Sequence, residues 1–226
     1  MNAVITYIFG KNSEILRTPL VIDTDVEYIC VTDQQDLKSD VWKIVYEPMP
    51  NINSNRDKVV YVKFNPFKYT KAEKILVIDS SMEIKTSIQS LFDEYDDYEI
   101  GLKLHPIRDF LSEELPNWKY RGLTDNVINK FYKMAKIDGV NLSEVTEYEG
   151  CLILFKNNDF CKNLCKLLFE YMKILGENGN LIVTNQCPLS YIIHTFYKKS
   201  KIYIIERNKY FNRYFHNTKK IVEEKR

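Results

Sequence analysis

Residues 74–78 read KILVI, an almost unbroken apolar run that stops at Asp79-Ser80-Ser81. Five residues is a strand's length rather than a helix's, and β-branched side chains suit a pleated backbone. Neighbouring side chains in a strand point to opposite faces of the sheet, so a run that is apolar throughout must be covered on both. The segment therefore predicts a centre strand with helices on either side. Further strands are expected at residues 3–9 (AVITYIF), 26–31 (VEYICV), 41–46 (VWKIVY), 99–104 (EIGLKL), 150–155 (GCLILF) and 202–205. Between them, helices are expected at residues 54–63 with Asn53 or Ser54 as cap, and at 86–95, 126–136, 160–174 and 184–197. Pro188 falls in a first turn, where it is tolerated. Strands alternating with helices predict an α/β fold with a mostly parallel central sheet.

The 226 residues suffice for one such domain, and seven glycines and seven prolines form no linker that would divide it. The domain is expected over residues 1–206. Residues 207–226, basic and aromatic, then read as a tail or a linker into further domains. A net charge of +1 argues against a nucleic-acid partner, and the acidic stretch DEYDDYE at 93–99 reads as a solvated turn. No run approaches the roughly 18 apolar residues of a membrane span, and the N-terminal segment lacks the marks of a signal peptide. A cytoplasmic location is the expectation. Five cysteines without CxxC spacing suggest neither a disulfide framework nor a zinc site, and Cys161 with Cys165 reads as two packed thiols.

In open α/β sheets, ligands bind beyond the carboxyl ends of the strands. Gly10, Asp33, Asp79 and His105 stand at those ends. A carboxylate immediately after a buried strand is costly to enclose unless a cation or several donors meet it. Asp79 is the strongest such case, with a helix-cap or turn aspartate as the plainer reading. His105 and Arg108 have two readings: contact with a ligand, metal or phosphate at this edge, or a turn histidine beside a surface arginine. His194 reads as an ordinary helix histidine. Tyrosine is abundant, but strand tyrosines usually just pack.

The segment KAEKILVIDSSMEI resembles the strand-and-acid segment of GT-A glycosyltransferases, where a D-x-D motif meets a divalent cation and the nucleotide diphosphate. ITYIFG, YICVTD, NRDKVVYVK, LKLHPIRD, YEGCLILFKNN and NQCPLSYII fall in the order of the DUF616-like branch of that fold, over most of residues 2–205. The likeness extends to viral enzymes in which this domain comes first of several, and it would then imply a host cytoplasm. The resemblance implies a UDP-sugar donor, Mn²⁺ or Mg²⁺, and a glycan or glycoprotein acceptor. It implies that Thr6, Tyr7 and Phe9 line the base and ribose pocket, and that Asp33 accepts from the uracil imide. Arg56 and Lys63 would face the diphosphate, where charge-assisted contacts are strong. Asp79 would hold the metal, and Glu149 would bond sugar hydroxyls.

Two departures stand out. Ser81 occupies the place of the second D-x-D carboxylate, leaving one aspartate to act with diphosphate oxygens. Asn185-Gln186 replaces an Asp-Gln pair, and an amide cannot serve as a base. With no obvious base, transfer with retention of anomeric configuration is favoured. Some GT-A enzymes take a late histidine as an extra metal ligand, and for His216 in the basic tail that is the less favoured reading. Two rivals remain: a binding module without chemistry, and a sugar-1-phosphate nucleotidyltransferase. The second is disfavoured because the loop after the first strand has a single glycine.

Overall fold

The computed structural model describes residues 1–10, 15–52, 54–114, 117–119, 123–177, 181 and 186–214. Strands β1 (Asn2–Ile8), β2 (Val26–Thr32), β3 (Lys43–Tyr46), β4 (Lys74–Ile78), β6 (Ile100–Leu104), β7 (Tyr148–Lys156) and β8 (Ile202–Ile204) form one sheet, in the order β3-β2-β1-β4-β7-β6-β8. Two short strands, β5 (Met82–Ile84) and β9 (Phe211–Arg213), pair antiparallel in a second sheet. The helices are α1 (Asn55–Lys63), α2 (Gln89–Glu94), α3 (Leu111–Glu114), α4 (Asp125–Ile137), α5 (Asp159–Leu175), α6 (Gln186–Phe196) and α7 (Arg207–Tyr210).

The KILVI run is β4, buried along its whole length between β1 and β7. Its side chains alternate into two cores, as the strand period requires. Ile75 and Val77 join Ile5, Tyr7, Ile153 and Phe155 on the face covered by α1, α4, α5 and α6. Leu76 and Ile78 join Val4, Ile8, Leu152 and Leu154 on the face covered by α2, α7 and the β5–β9 pair. The helix faces follow the same logic. On α5, Cys161, Leu164, Cys165, Leu168, Met172 and Leu175 repeat at helical spacing and are buried. All five cysteines are buried free thiols.

The sheet is mostly parallel, with one reversal. β7 runs antiparallel to both β4 and β6, pairing Ile78 with Leu152 and Lys103 with Glu149. The start of β7 therefore lies at the same edge as the carboxyl ends of β1, β2, β4 and β6. That reversal is what carries Glu149 to the edge where the other candidates stand.

Several boundaries move from the sequence expectation. Residues 41 and 42 precede β3, and Trp42 is buried with its indole N–H on the Arg17 carbonyl at 2.9 Å. The helix expected from residue 86 begins at Gln89, because Asp23 takes up the Ser87 hydroxyl (2.6 Å) and the Ile88 amide (2.9 Å). Ser54 is the N-cap of α1, accepting from the Asp57 amide. Packing also continues past residue 206, where the sequence suggested a tail: Tyr210 and Phe211 are buried, and Phe211–Arg213 pairs with β5.

Candidate functional site

The first part of the site lies at the ends of β1 and β2. Gly10 leaves β1 with a φ of +82°, a conformation that favours glycine. A Cβ there would stand 2.3 Å from Nδ2 of the exposed Asn55, a side-chain tip that can move aside, so it is the positive φ that calls for glycine. Its amide donates to Asp33 Oδ1 at 2.9 Å, and its carbonyl accepts from Gln34 Nε2 at 2.8 Å. Lys58 of α1 meets Asp33 Oδ2 at 2.8 Å. Partial burial disfavours the Asp33 carboxylate, but Lys58 and the Gly10 amide outweigh it and lower its pKa. A cavity of ≈600 Å³ opens here, bounded by Gly10, Asp33, Gln34, Leu37 and Tyr46. Its size suits a nucleoside-sized ligand.

The second part centres on Asp79. Its amide donates to the Cys151 carbonyl at 3.0 Å and its carbonyl accepts from Met82 at 2.9 Å, which fixes the turn after β4. Lys63, buried at the end of α1, places Nζ 2.9 Å from Asp79 Oδ1 and 2.6 Å from the Gly150 carbonyl. The Tyr7 hydroxyl donates to the same Oδ1. Among the described residues no donor reaches Oδ2, and the side chain is 29% exposed. Asp79 is thus anchored by one oxygen and presents the other.

The third part is an ion-pair cluster at the start of β7. Glu149, only 7% exposed, meets Lys103 of β6 at 2.8 Å and also pairs with Arg213 of β9. Burial alone would raise its pKa, but Arg213 and Lys103 pull it down to about 2. A carboxylate held so firmly ionised is a poor base near neutral pH.

Beyond β6, His105 accepts at Nδ1 from the amides of Ile107 and Arg108, at 3.3 and 3.1 Å. It shapes the turn at the end of the strand. Arg108 pairs with Glu114 at 2.6 Å, and the Glu114 side chain is fully buried. Carboxylate and thiol atoms of Glu114, Glu147 and Cys187 lie within 4.8 Å of one another. Two carboxylates and a thiol form a possible donor set for a cation. However, Arg108 already holds Glu114 and the Trp118 indole N–H already meets Cys187 Sγ at 2.9 Å.

Sequence-expected residues thus separate into groups. Tyr7, Lys63 and Asp79 make one contact cluster, and Phe9 lies 5.8 Å from the Lys58 ammonium beside Asp33. Thr6 is buried and, by strand alternation, faces away from Tyr7 and Phe9. Arg56 lies two helical turns before Lys63, about 10 Å along α1, and is exposed. Ser81 is buried in the turn, and its carbonyl accepts from the Tyr214 amide at 2.9 Å. Gln186 opens α6, with its Nε2 buried and no acceptor for it among the described residues. His194 lies on α6, where burial first and Lys198 second lower its pKa. Asn53, Asn185 and His216 fall outside the described residues. Sequence reasoning missed Lys58 and Arg213. Lys58 stands inside the basic stretch NRDKVVYVK, so its signal was present but unranked. Arg213 had none, since its pairing spans 64 positions.

The edge fits a cation only in part. Asp79 Oδ2 could offer one oxygen ligand, and a hard cation would have to draw the rest from a bound ligand and water. Among the described residues, no helix is long and apolar enough to cross a membrane.

No protein-family model matches the chain, and no curated protein matches it. Among solved structures, the apo crystal structure of mouse xyloside xylosyltransferase 1 is similar, with a TM-score of 0.51 at 9% identity. The likeness covers 91% of this chain and 85% of that one. It shows a shared fold: a GT-A-type α/β domain with a mostly parallel sheet between helices.

Proposed function

We propose that the chain is a glycosyltransferase that moves a hexose or deoxyhexose from a UDP-sugar to a glycan hydroxyl, with retention of configuration. The observation that carries this reading is Asp79: it ends the buried centre strand, Lys63 and Tyr7 hold one oxygen, and the other faces outward. The ≈600 Å³ cavity at Asp33 lies on the same edge, two strands away across β1. A uridine there would offer its imide N–H to Asp33, and its diphosphate would extend towards Asp79.

Asp79 Oδ2 would hold Mn²⁺ or Mg²⁺ together with the diphosphate, and the ion would supply charge stabilisation for the leaving phosphate. Lys63 fixes the Asp79 rotamer from beneath and contributes positive charge where the phosphate departs. Retention is favoured because neither Glu149 nor Asp33 is poised to act as a base. Glu149 is locked between two cations and Asp33 is held by Lys58. The departing phosphate would then take the acceptor proton.

A non-catalytic nucleotide- or glycan-binding module is the second reading. It is favoured by Ser81 in place of a second carboxylate and by the prior claim of Lys63 on Asp79. Incubation with a panel of UDP-sugars and Mn²⁺, following UDP release, separates the two. Release from at least one donor, lost in Asp79→Ala, supports the transferase. UDP binding with no release from any donor favours the binding module.

A further inference from the structure

The helical layer on the α1 side of the sheet carries a surface that the donor site does not use. α4 turns Val127, Ile128, Phe131 and Ala135 inward, which leaves Lys130, Lys133, Lys136 and Ile137 along its outer side. Ile137 is 83% exposed, more than any other large apolar side chain among the described residues. Ile174 of α5 and Phe196 of α6 are 59% and 48% exposed. Ring contacts place these three around one tyrosine pair. Phe196 and Tyr191 of α6 lie 5.9 and 6.3 Å from Tyr171 of α5. The Tyr191 hydroxyl meets Asp138, next to Ile137, at 2.5 Å. Ile174 stands one turn beyond Tyr171 on the same helix. Scattered apolar side chains on a surface are ordinary, but several around one point mark an interaction site.

Lysines frame this apolar group. Lys133 and Lys136 flank it on α4, Lys173 precedes Ile174, and Lys198 and Lys199 follow Phe196. Lys133, Lys136, Lys198 and Lys199 have no ion-pair partner among the described residues. The nearby acids are held: Asp138 by Tyr191, Glu170 by Lys173 at 3.0 Å, and Glu144 by Asn141 at 3.0 Å. Asp125 and Glu177 lie at the far end of α4, with Lys119 on the first and Thr124 and Asn126 on the second. Asp159 opens α5, where Lys162 and Lys166 follow it. The other face of the sheet has an acidic corner, with Asp93, Glu94, Asp96, Asp97 and Glu99 in and after α2. The net charge of +1 conceals this asymmetry.

We infer that this surface docks the protein on an anionic lipid bilayer, with the lysines over the headgroups and Ile137, Ile174 and Phe196 in the interfacial zone. Charge complementarity selects this occupant. The same face of a second copy would be repelled. A nucleic acid would gain nothing from exposed isoleucines, and the group holds no arginine with which to grip phosphates bidentately. Asp33 and Asp79 take no part in this contact, so it stands whether or not UDP binds.

Co-sedimentation with vesicles tests it, using phosphatidylcholine alone and phosphatidylcholine mixed with phosphatidylserine. The mixed vesicles should bind at least about tenfold more tightly, and salt should weaken that binding. Lys133→Gln combined with Lys136→Gln should weaken it by roughly tenfold or more, since one lysine at such a surface is worth about fivefold. Ile137→Ser should weaken it several-fold, and should do so at high salt as well. Lys43→Gln, which removes a charge from the β3 edge, should leave binding unchanged. All four side chains are exposed, so the variants should keep the wild-type unfolding midpoint. Equal binding to both vesicles, no binding to either, or a double variant no weaker than Lys43→Gln would overturn the inference. So would a single-stranded oligonucleotide that binds more tightly than the mixed vesicles and is lost in the same double variant. Self-association lost in that variant, without vesicle binding, would overturn it in favour of the acidic α2 corner of a second copy.

Discussion

Asp79 and Glu149 stand on neighbouring strands at one edge of the sheet, the first just past the end of β4 and the second at the start of β7. Each is an acid met by cations, yet their surroundings differ. Asp79 has one oxygen held by Lys63 and Tyr7, its other oxygen is open, and the side chain is 29% exposed. Glu149 has Lys103 on one oxygen and Arg213 on the other, and it is 7% exposed. A half-satisfied carboxylate at a surface can take a further cation or donor. A doubly paired, buried one has little left to offer and mainly holds three strands together: β6, β7 and β9. Charge and position along the chain make the two acids look alike; the number of oxygens already claimed separates their roles.

The comparison is broken most directly by exchanging each acid for a neutral group. Asp79→Ala should lower UDP-sugar turnover by about two to three orders of magnitude, the range for removing one preorganised electrostatic group, with a smaller stability loss than Glu149→Gln, since it leaves one buried cation, Lys63, with the Gly150 carbonyl as its remaining partner. Glu149→Gln should do the reverse. It leaves Lys103 and Arg213 without their counter-charge, which should cost about 3 kcal/mol in urea denaturation, while UDP affinity changes little. Equal stability losses in the two variants would erase the distinction.

Acid titration sharpens it. The Glu149 pKa is lowered in the fold, to about 2, against about 4.3 for a free glutamate. A depressed carboxylate stabilises the fold fully above its unfolded pKa and loses that contribution as pH falls through the folded one. Wild-type stability should therefore decline between about pH 4 and pH 2. Glu149→Gln should show a shallower decline over that window, measured by denaturation at fixed pH values.

The smallest expected effects lie on α1. Lys58→Ala frees Asp33 and loosens the Gly10 loop, and should weaken UDP binding by about fivefold, a typical loss for one charge-assisted contact. Arg56→Ala, at an exposed position, should change it less than twofold. The opposite ranking would mean that α1 turns its other face to the diphosphate.

Much of this was legible in the sequence. KILVI forms the buried centre strand over the residues its apolar run marks, Ser54 caps α1, and Asp79 stands in the turn that ends that strand. These features rest on local periodicity, capping chemistry and the position of acids at strand ends, which a single chain displays. Strand direction is not local. The run GCLILF shows burial on both faces but not that β7 is reversed, and that reversal brings Glu149 to the edge. The pairing of Met82–Ile84 with Phe211–Arg213 joins segments about 130 residues apart, which periodicity cannot report. The resemblance offered Glu149 as a sugar ligand, and it could not report the ion pairs that hold this residue. Its two partners come from β6 and β9, and nothing near residue 149 announces them.

The most direct measurement is calorimetric titration of UDP, with and without Mn²⁺, into wild type, Asp79→Ala and Glu149→Gln, with GDP as the control nucleotide. A donor site at Asp79 requires UDP to bind in preference to GDP, Mn²⁺ to strengthen it in wild type and Glu149→Gln, and the metal effect to vanish in Asp79→Ala. Metal-strengthened binding that survives Asp79→Ala but disappears in Glu149→Gln would reverse the two roles, and absence of UDP binding in all three proteins would contradict the donor site altogether.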